Sequence, residues 1–499
     1  MKRIYIIFMG ILLANFAYSQ NETDALRYSY LNYNGTARYS GLGGAMGALG
    51  ADMSAISMNP AGAGRYSRSD FSFTGDVTVA RVKATFNGNQ AQDLKGNFNI
   101  SNIGAVFVKP LSIEKPTMWR YYQVGITSSR TNDFHSRTLA EGNNSNSMLD
   151  AFSGLLNSEG FDLSSIDNAS PFYERLVYDA QLLGYDNTEN EFFGWYDPSN
   201  PTPIRHVRET VTRGAQYQTD ITLSGNYNGK LYVGGSIGFP RIRYNSSTVH
   251  TEIFNVDSNI DATYDTKEFS FTEELKTEGN GINAKIGLIY LPVQWLRVGV
   301  SLHTPTRYSM NDSYSTAIAS RFVADSFDQD FTSDVGGFDY RLITPGRVTA
   351  SAAFLLKKRG FLTLEYEYVD YGNSTLKEAA AAAAGAYDFD LENSTSESIY
   401  RSASIIKAGA EFRVTNNWTV RGGYAFYESP FKEDINSIDA SRTNVSGGLG
   451  YKNANFSLDF TYLRSATKSQ SFMYDPALVP ETNMTTAISN FMVTAGFRF

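Results

Sequence analysis

Apolar and polar residues alternate with a period of two along most of this chain. The last stretch shows it plainly: Phe491, Val493, Ala495, Phe497 and Phe499 are interleaved with Met492, Thr494, Gly496 and Arg498. A period of two sends alternate side chains to opposite faces of a strand. One face here is apolar and aromatic, the other mostly small or charged. Extended along the chain, the pattern predicts about fourteen strands. They lie near 69–86, 96–109, 120–133, 208–227, 230–248, 268–291, 294–310, 340–357, 360–371, 401–414, 417–429, 440–451, 454–466 and 486–499. In 401–414, Ile406, Ala408, Ala410 and Phe412 share one face, and Lys407, Glu411 and Arg413 share the other. In 417–429, Trp418, Val420, Tyr424 and Phe426 oppose Thr419, Arg421 and Tyr427; in 454–466, Phe456, Leu458, Phe460 and Tyr462 oppose Asn455, Ser457, Asp459 and Thr461.

Alternation suits a soluble sandwich, whose apolar face points inward, as well as a membrane barrel, whose apolar face points outward. The connections separate the two. A short set (Asn228-Gly229, Leu291-Pro292-Val293, Lys358-Arg359-Gly360, Thr415-Asn416-Asn417 and Lys452-Asn453) alternates with a long polar set at 134–207, 249–267, 311–339, 372–400, 430–439 and 467–485. Outer-membrane barrels have short turns on one side and long loops on the other, whereas a sandwich has no reason to sort its loops. A terminal aromatic, here Phe499, closes the last strand of such barrels.

The N-terminus agrees. Lys2 and Arg3 precede an apolar run from Ile4 to Ala14 and then Ala17-Tyr18-Ser19. This reads as a signal peptide cut after Ser19. The alternative, a membrane anchor, needs ~20 apolar residues, and this run has only 11. No Cys follows it, which excludes a lipoprotein, and no later segment is apolar enough for a helical span. Tyr (32) and Phe (33) are abundant although the chain as a whole is not hydrophobic, as expected when only half of each strand faces lipid. The absence of Cys removes disulfides, thiolate zinc sites and cysteine nucleophiles. The net charge of −8 argues against nucleic-acid partners.

Residues 20–68 break the alternation. They hold a small-residue tract from Gly41 to Gly50, then Asp52-Met53-Ser54-Ala55-Ile56-Ser57-Met58-Asn59-Pro60-Ala61-Gly62. Small residues let backbone approach backbone. Met46, Leu49, Ile56 and Met58 would lie in water on a loose tail, so the segment is expected to sit inside the barrel as a plug.

The tract leading into Asp52-x-Ser54-Ala55-Ile56-x-x-Asn59-Pro60-Ala61-Gly62 resembles the N-terminal hatch of the FadL/TodX family of outer-membrane transporters. Leu296 to Thr306 (LRVGVSLHTPT) resembles that family's strand ending in a His-x-Pro-type corner. Thr344-Pro345-Gly346-Arg347-Val348 with Gly360 to Tyr371 resembles the next block of Bacteroidetes-type members. The likeness runs from about Tyr39 to Phe499. It implies an all-β fold: a transmembrane antiparallel barrel of fourteen strands (69–499) with an N-terminal hatch (20–68) in its lumen, in the bacterial outer membrane. It also implies capture of long-chain fatty acids or aromatic hydrocarbons, hatch movement and lateral exit through the wall. Implied partners are the hydrophobic ligand, outer-membrane lipid and, through the strand ending at Phe499, the barrel-assembly machinery.

Candidate ligand-binding or gating residues follow. Ile56, Met58, Asn59, Pro60 and Ala61 form the hatch corner; the alternative is an ordinary turn. Loop 134–207 carries Phe152, Leu156, Phe192, Phe193 and Trp195, with helical spacing at Leu149, Phe152, Leu155 and Leu156. It would be a capture groove or a self-packed loop core. Arg297 and Arg421 are inward-facing cations, along with Lys285, Lys407 and Arg413, and Glu365 (or its neighbour Glu367), Glu411 and Asp459 are inward-facing anions; the mixed signs make ion pairing the simpler reading of each, and contact with a substrate carboxylate the other. No cofactor or metal is expected: His135, His206, His250 and His303 show no ligand-like spacing, so the hemin-receptor label of some relatives finds little support. No catalytic residue is expected either. Gly234-Gly235-Ser236-Ile237-Gly238 fits G-x-S-x-G but lies within a continuing strand, and a nucleophile elbow requires a strand-turn-helix. The competing function is a non-transporting scaffold, for protein secretion of the type IX kind or surface interaction, with loop 134–207 holding a protein partner.

Overall fold

In a computed structural model, the chain is described over residues 22–499 apart from 33, 112–117, 198–202, 256–265, 325–326, 358, 380–386 and 433–438. The signal-peptide reading lies outside the described residues. Alternation does what the sequence demands: every predicted strand forms, and antiparallel neighbours close into a ring. The crossings are β1 (Asp70–Phe86), β2 (Asn89–Pro110), β3 (Trp119–Asp133, continued by Ser136–Asn144), β4 (Ile204–Tyr227), β5 (Leu231–Ile253) and β6 (Thr266–Val293). Next come β7 (Leu296–His303 and Thr306–Phe322), β8 (Gly336–Thr344 and Arg347–Leu355) and β9 (Gly360–Asp370, continued by Thr375–Glu378). The last are β10 (Ser402–Arg413), β11 (Trp418–Tyr427), β12 (Arg442–Lys452), β13 (Phe456–Ser471) and β14 (Thr482–Arg498). β1 pairs with β14 from Asp70↔Arg498 to Phe86↔Thr482, which closes a barrel of fourteen strands.

The faces are those the pattern predicts. Phe491, Val493 and Phe497 are 43–49% exposed, whereas Met492 between them is fully buried. Ile406, Phe412, Trp418, Tyr424, Leu458 and Phe460 also point outward, while Lys407, Arg421 and Thr461 are buried inside. Apolar surface on this scale, wrapped round the exterior, is stable only where acyl chains solvate it.

Three departures have local causes. β2 begins seven residues earlier than expected, because Asn87-Gly88 forms a tight turn with φ of 44° and 83°. Such a two-residue turn, favoured by Asn-Gly, also makes the β1–β2 connection short on the long-loop side. Several strands run past the belt, so parts of the expected loops are sheet: Ser136–Asn144 pairs with the start of β4, and Thr306–Phe322 with β6. Finally, β7 and β8 break together. His303 pairs with Arg347 and Thr306 with Thr344, leaving Thr304-Pro305 and Pro345-Gly346 between the ladders. Proline has no N–H to give a ladder, so the two prolines interrupt neighbouring strands at one level.

Candidate functional site

The N-terminal segment reaches inward-facing side chains on strands all round the ring. Its local form follows from its caps. Asp52 accepts from the N–H groups of Ser54 (2.9 Å) and Ala55 (3.3 Å) and from Thr36 Oγ1, starting the helix Met53–Met58. Asn59 ends that helix and accepts from Ala61 N at 3.1 Å, starting the 3₁₀ helix Pro60–Arg65 with Pro60 in its first position.

An irregular backbone in a confined space must find partners for its polar groups. The barrel wall supplies them. Lys285 Nζ donates to Ser57 O at 2.9 Å and to Asp220 at 2.9 and 3.0 Å. His303 Nε2 donates to Met58 O at 2.7 Å, and Arg347 to Ser29 O at 2.5 Å and Glu367 at 2.6 Å. Gly47 N donates to Glu365 at 2.8 Å, and Lys407 bridges Glu365 (3.1 Å) and Glu367 (3.0 Å). Thr363 and Thr461 donate to Ala45 O and Ala37 O at 2.8 and 2.6 Å. The two proline-broken motifs thus place His303 and Arg347 against this segment. The G-x-S-x-G match has the same explanation: a Cβ at Gly234 would run into the backbone of Pro60, and one at Gly287 into the Asn59 side chain.

The wall itself has a seam. β2 and β3 pair only from Asn102↔Ser129 to Pro110↔Tyr121. Above that, β2 pairs with β1 alone and β3 with β4 alone, and β3 is broken at Phe134-His135. The strands rejoin near the long-loop end, where Asn87 Nδ2 donates to Asn143 O at 2.7 Å. The N-terminal segment occupies the open β3 edge: Asn32 N and Asn34 N donate to Thr131 O (2.7 Å) and Arg130 O (3.2 Å). On the other lip, Ser101 Oγ donates to Gly35 O at 3.1 Å. Behind the seam Arg130 and Asp76, both fully buried, form an ion pair at 2.5 Å, supported by Asn490. On the outside the lip carries Phe98 and Ile100, 67% and 44% exposed.

At the long-loop end, residues 145–197 build a cap. Ser147 and Asp150 form a capping box for the helix Met148–Glu159. That helix, a second at Glu174–Asp179 and the hairpin Leu183–Asp186/Glu191–Gly194 enclose a hydrophobic core with Phe86, Phe269, Phe271, Ile318 and Phe322 of the rim. At the short-turn end a cavity of about 680 Å³ is lined by Arg38, Arg65, Arg297, Arg421, Glu411 and Asp459, among others.

The residues singled out from sequence therefore fall in three places. All five hatch-corner candidates are buried, but against different strands: Ile56 clusters with Val106 of β2 and Met58 with Ala353 and Phe361 of β8 and β9, while Asn59, Pro60 and Ala61 sit against β5, β6 and β7, where Asn59 Nδ2 donates to Gly47 O (2.9 Å) and Leu288 O (3.3 Å). Phe152, Leu156 and Phe192 lie in the cap's own core, with Phe193 and Trp195 packed edge-to-face at its margin. Arg297 and Arg421 face the short-turn cavity; Arg421 pairs with Glu411 (3.4 Å) and Asp459 (2.7 Å). The seam residues Arg130 and Asp76 were not recognised in the sequence. Neither was the histidine pair: the histidines show no ligand-like spacing along the chain, yet β4 and β5 place His206 opposite Glu252 and beside His250.

A sequence profile described as outer membrane protein transport protein (OMPP1/FadL/TodX) matches residues 215–498. No curated protein matches the chain. Among solved structures, a Pseudomonas aeruginosa FadL homologue superposes with a TM-score of 0.57 at 14% identity, covering 94% of this chain and 100% of that one. The P. putida toluene transporter TodX superposes with a TM-score of 0.53 at 12% identity, covering 93% of this chain and 98% of that one.

Proposed function

The chain belongs to the FadL/TodX family of outer-membrane transport proteins, and from that premise we propose that it carries long-chain fatty acids or aromatic hydrocarbons across the outer membrane and releases them sideways through the β2–β3 seam. Residues 20–68 act in this reading as the hatch. One observation carries it: the ladder between β2 and β3 stops at Asn102↔Ser129, and the N-terminal segment fills the break.

The physics favours such an exit. Burying an acyl chain gains about 0.8 kcal/mol per CH₂, so a pore that delivered it into water would have to give that back. A gap opening toward lipid, flanked by Phe98 and Ile100, gives nothing back. The hatch can withdraw because its bonds at the seam are few and backbone-directed. The wall carbonyls they would leave, Arg130 O and Thr131 O, are edge groups that passing water can satisfy. The belt is solvated by outer-membrane lipid, and the strand ending at Phe499 is the element that the assembly machinery would read.

The cysteine-free chain permits a clean test. Ser57 Oγ and Thr127 Oγ1 lie 3.3 Å apart across the hatch–wall interface. Ser57→Cys with Thr127→Cys, oxidised, should tether the hatch to β3 and stop uptake of radiolabelled oleate and toluene, with recovery on reduction. Uptake unaffected by the closed disulfide would rule out hatch movement. In vesicles with a bilayer-embedded quencher, a fluorescent fatty acid should quench before any signal appears in the aqueous interior; the reverse order would mean axial release.

A further inference from the structure

We propose that the rim under the cap holds a divalent transition-metal site, with zinc the best-matched ion, built from His206 of β4 with His250 and Glu252 of β5. The argument starts from register. His206 is directly opposite Glu252, and Arg208 opposite His250, so the inward face of this hairpin presents two imidazoles and one carboxylate together. All three side chains are essentially inaccessible. Glu252 Oε1 lies 3.2 Å from His206 Nδ1 and 3.0 Å from His250 Nε2, and the three donor atoms fall within 4.8 Å of one another. Zinc bonds of ~2.0–2.2 Å in tetrahedral geometry set donors about 3.4 Å apart, which the two carboxylate–imidazole separations already approach, and the two imidazole nitrogens lie within 4.8 Å.

Two observations separate this cluster from an ordinary polar patch. His206 Nε2 is buried with no hydrogen-bond partner, and its Nδ1 has none beyond the Glu252 carboxylate 3.2 Å away. A buried imidazole left without a partner is destabilising, whereas a lone pair aimed at a cation is not. The carboxylate, in turn, is held from behind: Ser147 Oγ donates to Oε2 at 2.5 Å and Met148 N to Oε1 at 2.8 Å. Bonds of this kind fix a ligand's orientation and are a regular part of metal sites. The neighbouring cation Arg208 is engaged elsewhere, by Glu273 (3.3 Å) and Met473 O (2.5 Å). Tyr474 and Phe86 wall the site, their ring centroids 5.6–6.3 Å from the imidazoles.

Two imidazoles and one carboxylate form a nitrogen–oxygen set that suits zinc and its neighbours and not calcium or magnesium, which prefer all-oxygen cages. The fourth position falls to water. Because Glu252 also caps the helix Met148–Glu159, the ion would bolt the cap to the barrel rim. The site is independent of the transport reading.

The test is a calorimetric titration of the full chain, purified in detergent and stripped with chelator, with Zn²⁺ alone. One ion per chain should bind, and His206→Ala and His250→Ala should each weaken it at least 100-fold, while His135→Ala leaves it unchanged. Ser147→Ala should weaken it about tenfold. Co²⁺ on the wild-type chain should give the intense visible absorption of a tetrahedral site, a readout that does not depend on any variant folding. A wild-type chain that binds no Zn²⁺ and gives no such absorption overturns the proposal. So does binding that survives loss of both His206 and His250.

Discussion

The two ends of this barrel are filled by irregular chain of opposite character. The N-terminal segment packs small apolar clusters against the wall, but what sets it apart is the set of buried wall ions and hydroxyls that bond to its backbone. The cap is joined to the rim by aromatic and aliphatic packing, with Phe152 against Phe271 at a ring separation of 5.6 Å. The difference shows how each region responds to disturbance. Polar bonds in a lumen can be exchanged one for another, or for water, as a segment shifts. An apolar core can open only by exposing its full area to water. The first arrangement suits a part that moves and the second a part that stays.

Breaking the charge set under the N-terminal segment should have the largest effect. Lys407→Met leaves Glu365 and Glu367 buried with one fewer counter-charge, and removing one member of a buried pair costs about 3–5 kcal/mol. Hydrogen exchange should rise in residues 37–50 and leave the cap unchanged. Equal loosening of both ends would erase the distinction drawn here. In the cap, Phe152→Ala removes a ring packed on Phe271 in the cap core and should cost ~3–5 kcal/mol. The loss should be confined to 145–197, with barrel heat-modifiability intact.

The cap should also sense acid. Burial pushes the Glu174 carboxyl from 4.5 up to about 7. The folded cap therefore keeps a proton that the opened cap releases. Its stability is fullest below about 4.5 and declines as pH rises to about 7. The decline is on the order of 3 kcal/mol at most. Glu174→Gln should flatten that dependence, read by exchange in residues 170–180; a slope that persists would assign it to another group. The smallest effect is expected at the hatch corner: Asn59→Ala removes the cap of the turn at Pro60 and should cost about 1–2 kcal/mol. Its readout is faster exchange in residues 58–66 without loss of the barrel.

Much of this architecture was open to a reader of the chain. Period-two alternation is a local property, imposed on each strand by the two solvents it separates, so strand number, apolar-out orientation and the sorting of most connections follow from residue order. The buried fate of Met46, Leu49, Ile56 and Met58 was open for the same reason: apolar side chains at these positions need cover. What lay beyond reach depends on register between distant strands. Nothing near Lys407 announces that Glu365 and Glu367 will meet it, nor does Asp76 announce Arg130. The β2–β3 seam is an absence of pairing, and alternation reads the same with or without a neighbour. His206 and His250 stand far apart in the chain and adjoin only because β4 and β5 pair antiparallel about the tight turn at Asn228-Gly229. Local chemistry decided which residues face lipid; only closure of the ring decided which of the others face one another.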